Sequence, residues 1–149
     1  MSYTIRPVQP KDNPIARTAI QQMHFDAFPG YPMIETNVGY WWIAYDAKSK
    51  PAAFSSLWPS VRSPVTGYLA RAAVDEKHRG RGLQRRLIRV REAKARSLGW
   101  LVTVSDTNRE NIHSANNMIR CGYLLHDPPV AWGHKESLYW RRILTPGAA

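Results

Sequence analysis

With one cysteine, Cys121, the chain can form no internal disulfide and no multi-cysteine metal site. Its five histidines show no HExxH or other paired-ligand spacing, so no metal is expected. No apolar run approaches the roughly 18 residues of a membrane-spanning helix. The opening residues MSYTIRPVQPKDN contain no apolar signal-peptide core. The expectation is a soluble cytoplasmic protein without membrane contact. Acids are scarce too, 11 Asp and Glu against 21 Lys and Arg, which leaves a net charge of +10. Such an excess favours an acidic partner, a nucleic acid or a phosphorylated ligand. No repeat, low-complexity tract or linker interrupts the 149 residues, and 44% of them are hydrophobic. One globular domain over residues 1–144 is expected, as a monomer or homodimer, with a mobile tail over 145–149.

What is present centres on residues 69–99. Tyr68 to Val74 is small and apolar and reads as a strand. Asp75 to His78 is a polar turn, and Arg79-Gly80-Arg81-Gly82 is a glycine-broken loop. From Leu83 the apolar residues Leu87, Val90 and Leu98 recur at roughly helical spacing, and Gly99 closes the helix. Strand, basic glycine loop and helix in that order make a phosphate cradle. A helix start presents unpaired amides and the positive end of its dipole, glycines let backbone approach a ligand, and arginines add charge-assisted hydrogen bonds. It is not a nucleoside triphosphatase loop, because no Gly-Lys-Ser/Thr follows. It is not a dinucleotide fingerprint either, because only two glycines occur. Nine basic residues, from Lys77 through Arg79, Arg81, Arg85, Arg86, Arg89, Arg91 and Lys94 to Arg96, fall in this loop and helix. Beyond the loop they read as a solvated helix face, with Glu92 paired to Arg96 at i,i+4, or else as a surface for RNA.

The remaining chain supplies the surrounding elements. Tyr3–Val8 alternates apolar and polar residues and reads as a strand ending near Pro7, at a sheet edge. Asp12 or Asn13 caps a helix over about 14–28, whose apolar row is Ile15, Ala19, Met23 and Ala27 with Ile20 beside it. Residues 29–39 form a loop. Tyr40–Tyr45, Ala52–Trp58 and Val65–Val74 are three successive antiparallel strands. Trp100–Val104 is a short buried strand, after which Asp106-Thr107 caps a helix from about Arg109 to Arg120. Tyr123–Leu125 and Ser137–Leu144 are the last strands, separated by a proline-containing loop.

The glycine loop resembles the acyl-CoA loop of the GNAT N-acetyltransferases, whose pattern is Arg/Gln-x-x-Gly-x-Gly/Ala. Here the residues are Arg79-Gly80-Arg81-Gly82-Leu83-Gln84, with Gln84 in place of the last small residue. Val74 ends the strand where the family's Val-x-Pro-x-x-Arg-Gly pattern has its valine, and Glu76 replaces the proline. A second family pattern, Asn-x-x-Ala/Ser followed by Tyr and then Gly-Phe/Tyr, is met by Asn111-Ile112-His113-Ser114 and Gly122-Tyr123. Met118 stands in place of the tyrosine. The order of elements agrees along nearly the whole chain. The resemblance therefore implies an α/β (α+β) fold with a mixed, mostly antiparallel sheet flanked by helices.

The resemblance further implies acetyl-CoA as cosubstrate. It would be held by the backbone of Ala72 and Val74, by Arg79, Gly80, Arg81, Gly82, Leu83, Gln84 and Arg85, and by Asn111 and Ser114. Phe28 and Tyr31, with Phe25, are candidates for the acceptor wall, although Phe25 and Phe28 also read as core residues. The implied activity is direct acetyl transfer to a primary amine of a small molecule or peptide. Alternatives are an RNA-bound amine, such as an aminoacyl-tRNA, and a non-catalytic acyl-CoA-binding module. The family's tyrosine protonates the leaving thiolate, which the thioether of Met118 cannot do. The strand before the loop carries Arg71 and no acid, where many relatives have a glutamate. The base is left open among His24, Asp26, Glu35, His134 and Glu136, and Arg62, Arg71 and His134 are candidates to meet an anionic group on the acceptor. Cys121 is not needed as a nucleophile.

Overall fold

The computed structural model describes residues 2–134 and 136–145. The expected tail lies outside these residues from position 146 onward. Seven strands are hydrogen-bonded in the order β1-β2-β3-β4-β5-β7-β6. The chain forms two compact units, one comprising the residues up to Trp58 together with Ala70–Leu87, the other Pro59–Leu69 and the chain from Ile88 onward.

In the first unit β1 (Thr4–Val8) is the edge strand expected, paired antiparallel with β2 (Tyr40–Tyr45), and β2 pairs antiparallel with β3 (Pro51–Pro59). α1 (Pro14–Ala27) starts where Asn13 Oδ1 accepts the Ala16 amide at 3.1 Å, with Pro14 in the first turn. Such a cap contributes about 1 kcal/mol. The buried stripe of α1 is Ala16, Ile20 and His24, one position on from the row that begins at Ile15. Ile15 is 84% exposed. The choice is made by β2 and β3, because Ala16 and Ile20 pack with Trp41, Ile43 and Phe54 in one core.

β4 (Thr66–Val74) changes register along its length. Ser60 N–H meets the Thr66 carbonyl at one end and Asp75 N–H meets the Ala52 carbonyl at the other, so eight steps along the β3 side correspond to nine along β4. One extra residue on a strand is a β-bulge. Between these ends the Ser56 hydroxyl donates to the Arg71 carbonyl at 3.0 Å. Backbone direction alternates along a strand. With Asp75 facing β3, the amides and carbonyls of Ala72 and Val74 point to the other side.

In the second unit β5 (Val102–Asn108) lies parallel to the start of β4 over three pairs, Thr66–Val102, Gly67–Thr103 and Tyr68–Val104. Past these pairs the Ser105 hydroxyl donates to the Leu69 carbonyl at 3.0 Å. β5 is antiparallel to β7 (Ser137–Ile143), which pairs in turn with the two-residue β6 (Leu124–Leu125). β5 begins later and runs further than expected, because β7 pairs with each of its residues up to Asn108. Asp106 and Thr107 are therefore strand residues and not a helix cap. The cap of α3 (Ile112–Arg120) is Asn111, whose Oδ1 accepts the Ser114 amide at 3.1 Å. Gly122, at φ +89°, ends α3, with the Gly122 amide on the Ile119 carbonyl and the Tyr123 amide on the Met118 carbonyl.

α2 (Leu83–Ser97) does not present a uniformly solvated basic face. Glu92 and Arg91 are buried, at 0% and 3% exposure. Glu92 pairs with Arg89 at 3.1 Å and with Arg142 of β7 at 2.7 Å, not with Arg96. Arg96 instead donates to the Thr145 carbonyl. Tyr123 donates its hydroxyl hydrogen to Glu92 at 2.9 Å, so at its 2.6 Å contact with Thr103 the threonine is the donor. Burial first, then the charge of Glu92, pushes the Tyr123 hydroxyl well above its ordinary pKa, and it stays protonated. Burial lowers Arg91 to about 10, which leaves it charged at neutral pH.

Candidate functional site

The glycine loop is built from its two ends. Asp75 Oδ1 accepts the Lys77 amide at 3.0 Å and caps a single 3-10 turn, Glu76–His78. Arg79 Nε reaches back to the Val74 carbonyl at 3.2 Å, which ties the loop to the end of β4. Gly80 and Gly82 both sit at φ +76°, on either side of Arg81. A Cβ at Gly80 would meet nothing within 4 Å, and one at Gly82 would come within 3.7 Å of Arg85 Nη2. Glycine is thus required by backbone conformation rather than by crowding.

The first bond of α2 runs from the Arg86 amide to the Gly82 carbonyl at 3.1 Å. The amides of Leu83, Gln84 and Arg85 precede it, at the positive end of the helix dipole. The first turn holds no acid that would compete for them. Leu83 is 2% exposed, so it can offer a ligand only its backbone. Tyr3 secures this corner, its hydroxyl 2.8 Å from His78 Nδ1 and its carbonyl accepting from Arg86 Nη2 at 3.2 Å. Helix-start amides beside cationic side chains form an arrangement that suits an anion.

Arg71 lies on β4. Its guanidinium lies 4.6 Å from the Phe28 ring centre and 4.8 Å from that of Tyr31, and the two rings meet edge to face at 6.0 Å. Phe28 and Tyr31 are therefore brought together, around a residue of β4. Phe25 is 64% exposed and belongs neither to the core nor to this cluster. His24, in ring contact with Phe28 at 5.0 Å, has its pKa lowered by burial and then by the charge of Arg71.

The second motif has a local role first. The Asn111 side-chain oxygen is engaged by the Ser114 amide as the α3 cap, and Met118 is buried at 3% exposure. Several of the candidate acids and bases are engaged by their own chain neighbours. Asp26 accepts from Gln22, Glu35 from the Asn37 amide, and His134 Nδ1 from the Glu136 amide. Arg62 donates to the carbonyls of Val130 and Ala131, so its donors are directed into the chain's own backbone.

The polar pair that sequence reasoning missed is Tyr68 and Asp106. The Tyr68 hydroxyl donates to Asp106 Oδ1 at 2.6 Å, where the parallel β4–β5 ladder ends. The loop before β7 closes on the same carboxylate, since a Cβ on Gly133 would lie 2.8 Å from Asp106 Oδ2. Tyr139 holds that loop by donating to the His134 carbonyl at 2.6 Å, and Trp132 packs edge to face on the Tyr139 ring at 4.8 Å. Nothing in the local sequence of Asp106 separates a strand carboxylate from a helix cap, so no sequence signal marked it.

Comparison with known families decides the kinship. The acetyltransferase (GNAT) family model matches residues 7–123. The chain belongs to that family. Solved structures share its fold at low identity. The yncA structure from Salmonella typhimurium, with its cofactor acetyl-CoA, is 17% identical with a TM-score of 0.73, over 100% of this chain and 98% of that one. A chain of the NatC complex bound to Gag peptide and CoA is 19% identical with a TM-score of 0.78, over 97% and 100%. The ribosomal-protein-S18-alanine N-acetyltransferase from Escherichia coli is 15% identical with a TM-score of 0.73, over 99% and 97%. A search of curated proteins finds no match.

Proposed function

We propose that this chain is an acetyl-CoA-dependent N-acetyltransferase that acts on a primary amine of a small molecule or peptide. The observation that carries the reading is the loop, with Gly80 and Gly82 in the left-handed conformation ahead of three helix-start amides and no first-turn acid. Such a cradle suits a pyrophosphate, flanked by Arg79, Arg81 and Arg85. Family membership and relatives solved with acetyl-CoA or CoA support the same ligand. When bound, acetyl-CoA supplies an acetyl thioester whose C–S bond is exchanged for an amide C–N bond, with CoA leaving as a thiol.

In this reading the backbone of Ala72 and Val74, directed away from β3, receives the pantetheine arm, and the Val74 N–H polarises the thioester carbonyl. Asn111 and Ser114 of the second motif are the further candidates for holding that arm. An amine near pH 7 is mostly protonated. A base must take up that proton before the amine attacks.

Met118 favours a second reading, a module that binds acyl-CoA without turnover. Calorimetric titration with acetyl-CoA, followed by a panel of amines, separates the two. We expect one site of micromolar affinity and turnover on at least one amine. Binding without turnover on any amine supports the module, and no binding overturns both.

A further inference from the structure

Arg71 is a charge without an obvious counter-charge. Among the described residues no carboxylate pairs with it, and its structural neighbours are the faces of Phe28 and Tyr31. A guanidinium lying over the faces of two aromatic rings keeps its N–H donors, in the planar fork that fits a carboxylate in two parallel hydrogen bonds. The rings lower the local dielectric and fix the fork, both of which strengthen such a pair. The cluster is reachable, since Tyr31 is 56% exposed while Arg71 and Phe28 are half-buried. His24 beside it is driven toward its neutral form by burial and by Arg71, so it does not compete for an anion as a second fixed charge. Arg71 also lies three residues before Val74, about 10 Å along an extended strand, a span that a small acceptor covers.

We propose that Arg71, lying over the rings of Phe28 and Tyr31, receives a carboxylate carried by the acceptor amine. The substrate class is then an amino acid or a short acidic peptide. The proposal rests on the acetyltransferase reading and names the acceptor for it.

The test is a set of matched acceptors. Free amino acids are compared with their amides, and C-terminally amidated dipeptides beginning with Asp or Glu with those beginning with Asn or Gln. Wild type should favour a carboxylate member by about tenfold or more in kcat/KM. The arm in which the preference appears tells an α-carboxylate from an acidic side chain. In Arg71→Gln that preference should fall to near unity through KM, and Arg71→Lys should restore part of it as a point charge. Tyr31→Ala should weaken the preference without abolishing it. Equal use of carboxylate and amide by wild type overturns the proposal, as does equal loss on both in Arg71→Gln. Acetyl-CoA titration of each variant is the control for folding. A wild type that binds acetyl-CoA but acetylates neither member of any pair also sinks the proposal. A wild type that fails to bind acetyl-CoA sinks the acetyltransferase reading instead.

Discussion

Glu92 accepts from Arg89, Arg142 and Tyr123 at a position with no exposed surface. Removing its carboxylate would leave the Arg142 and Tyr123 donors partly buried without their acceptor. Glu92→Ala should therefore cost about 3–5 kcal/mol. Chemical denaturation measures this, and a loss below about 1 kcal/mol would contradict the network. His24 makes a different prediction. Its pKa in the folded chain lies below the ordinary 6.5, because of burial first and Arg71 second. The unfolded chain thus binds more protons as pH falls through about 6.5, and stability drops from there down to the folded pKa. His24→Gln should flatten the acid side of the melting-temperature profile between pH 7 and 5, and a profile parallel to wild type would refute it.

At the scale of elements, the strand, loop and first turn of α2 behave as one device. The Arg79–Val74 and Arg86–Tyr3 contacts hold it, and φ +76° at Gly82 shapes it. Gly82→Asp puts a side chain on a left-handed residue and a negative charge at a helix start meant for phosphate. Acetyl-CoA binding should fall by about 100-fold or more, more than the conformational cost of about 1–2 kcal/mol accounts for. Gly82→Ala, which carries the strain without the charge, should fall less. Equal affinity for Gly82→Asp and wild type would remove the loop from the ligand site.

For the whole molecule the question is what the charge of +10 is for. Arg91 is buried. Arg89 and Arg142 serve Glu92, while Arg62, Arg86 and Arg96 bond backbone carbonyls. These six arginines are not laid out as one open phosphate-binding face. RNA affinity should be of the non-specific kind, with Kd roughly 10 µM or weaker near 150 mM salt. Anisotropy of labelled single-stranded RNA against salt checks this, and submicromolar binding at that salt would favour an RNA-borne acceptor. Among the described residues no helix is long and apolar enough to cross a membrane.

Local rules determined much of this protein from sequence. β-rich runs bounded by Pro and Gly set Tyr40–Tyr45 and β4 close to their observed ends, and Asn13-Pro14 and Gly122 marked helix ends through caps that act within a few residues. The glycine loop was legible for the same reason, since two glycines and a helix start suffice to make it. Whatever depended on partners distant in the chain was not legible. The buried stripe of α1 was chosen by Trp41 and Phe54, and the length of β5 by β7. The burial of Glu92 and Arg91 followed from Arg142 and Tyr123, which are 50 and 31 residues from Glu92 along the chain. The Tyr68–Asp106 pair and the Arg71 cluster belong to this second group. A hydrogen bond or a stacked cation joins residues that share no local pattern, so only the tertiary structure brings them into contact.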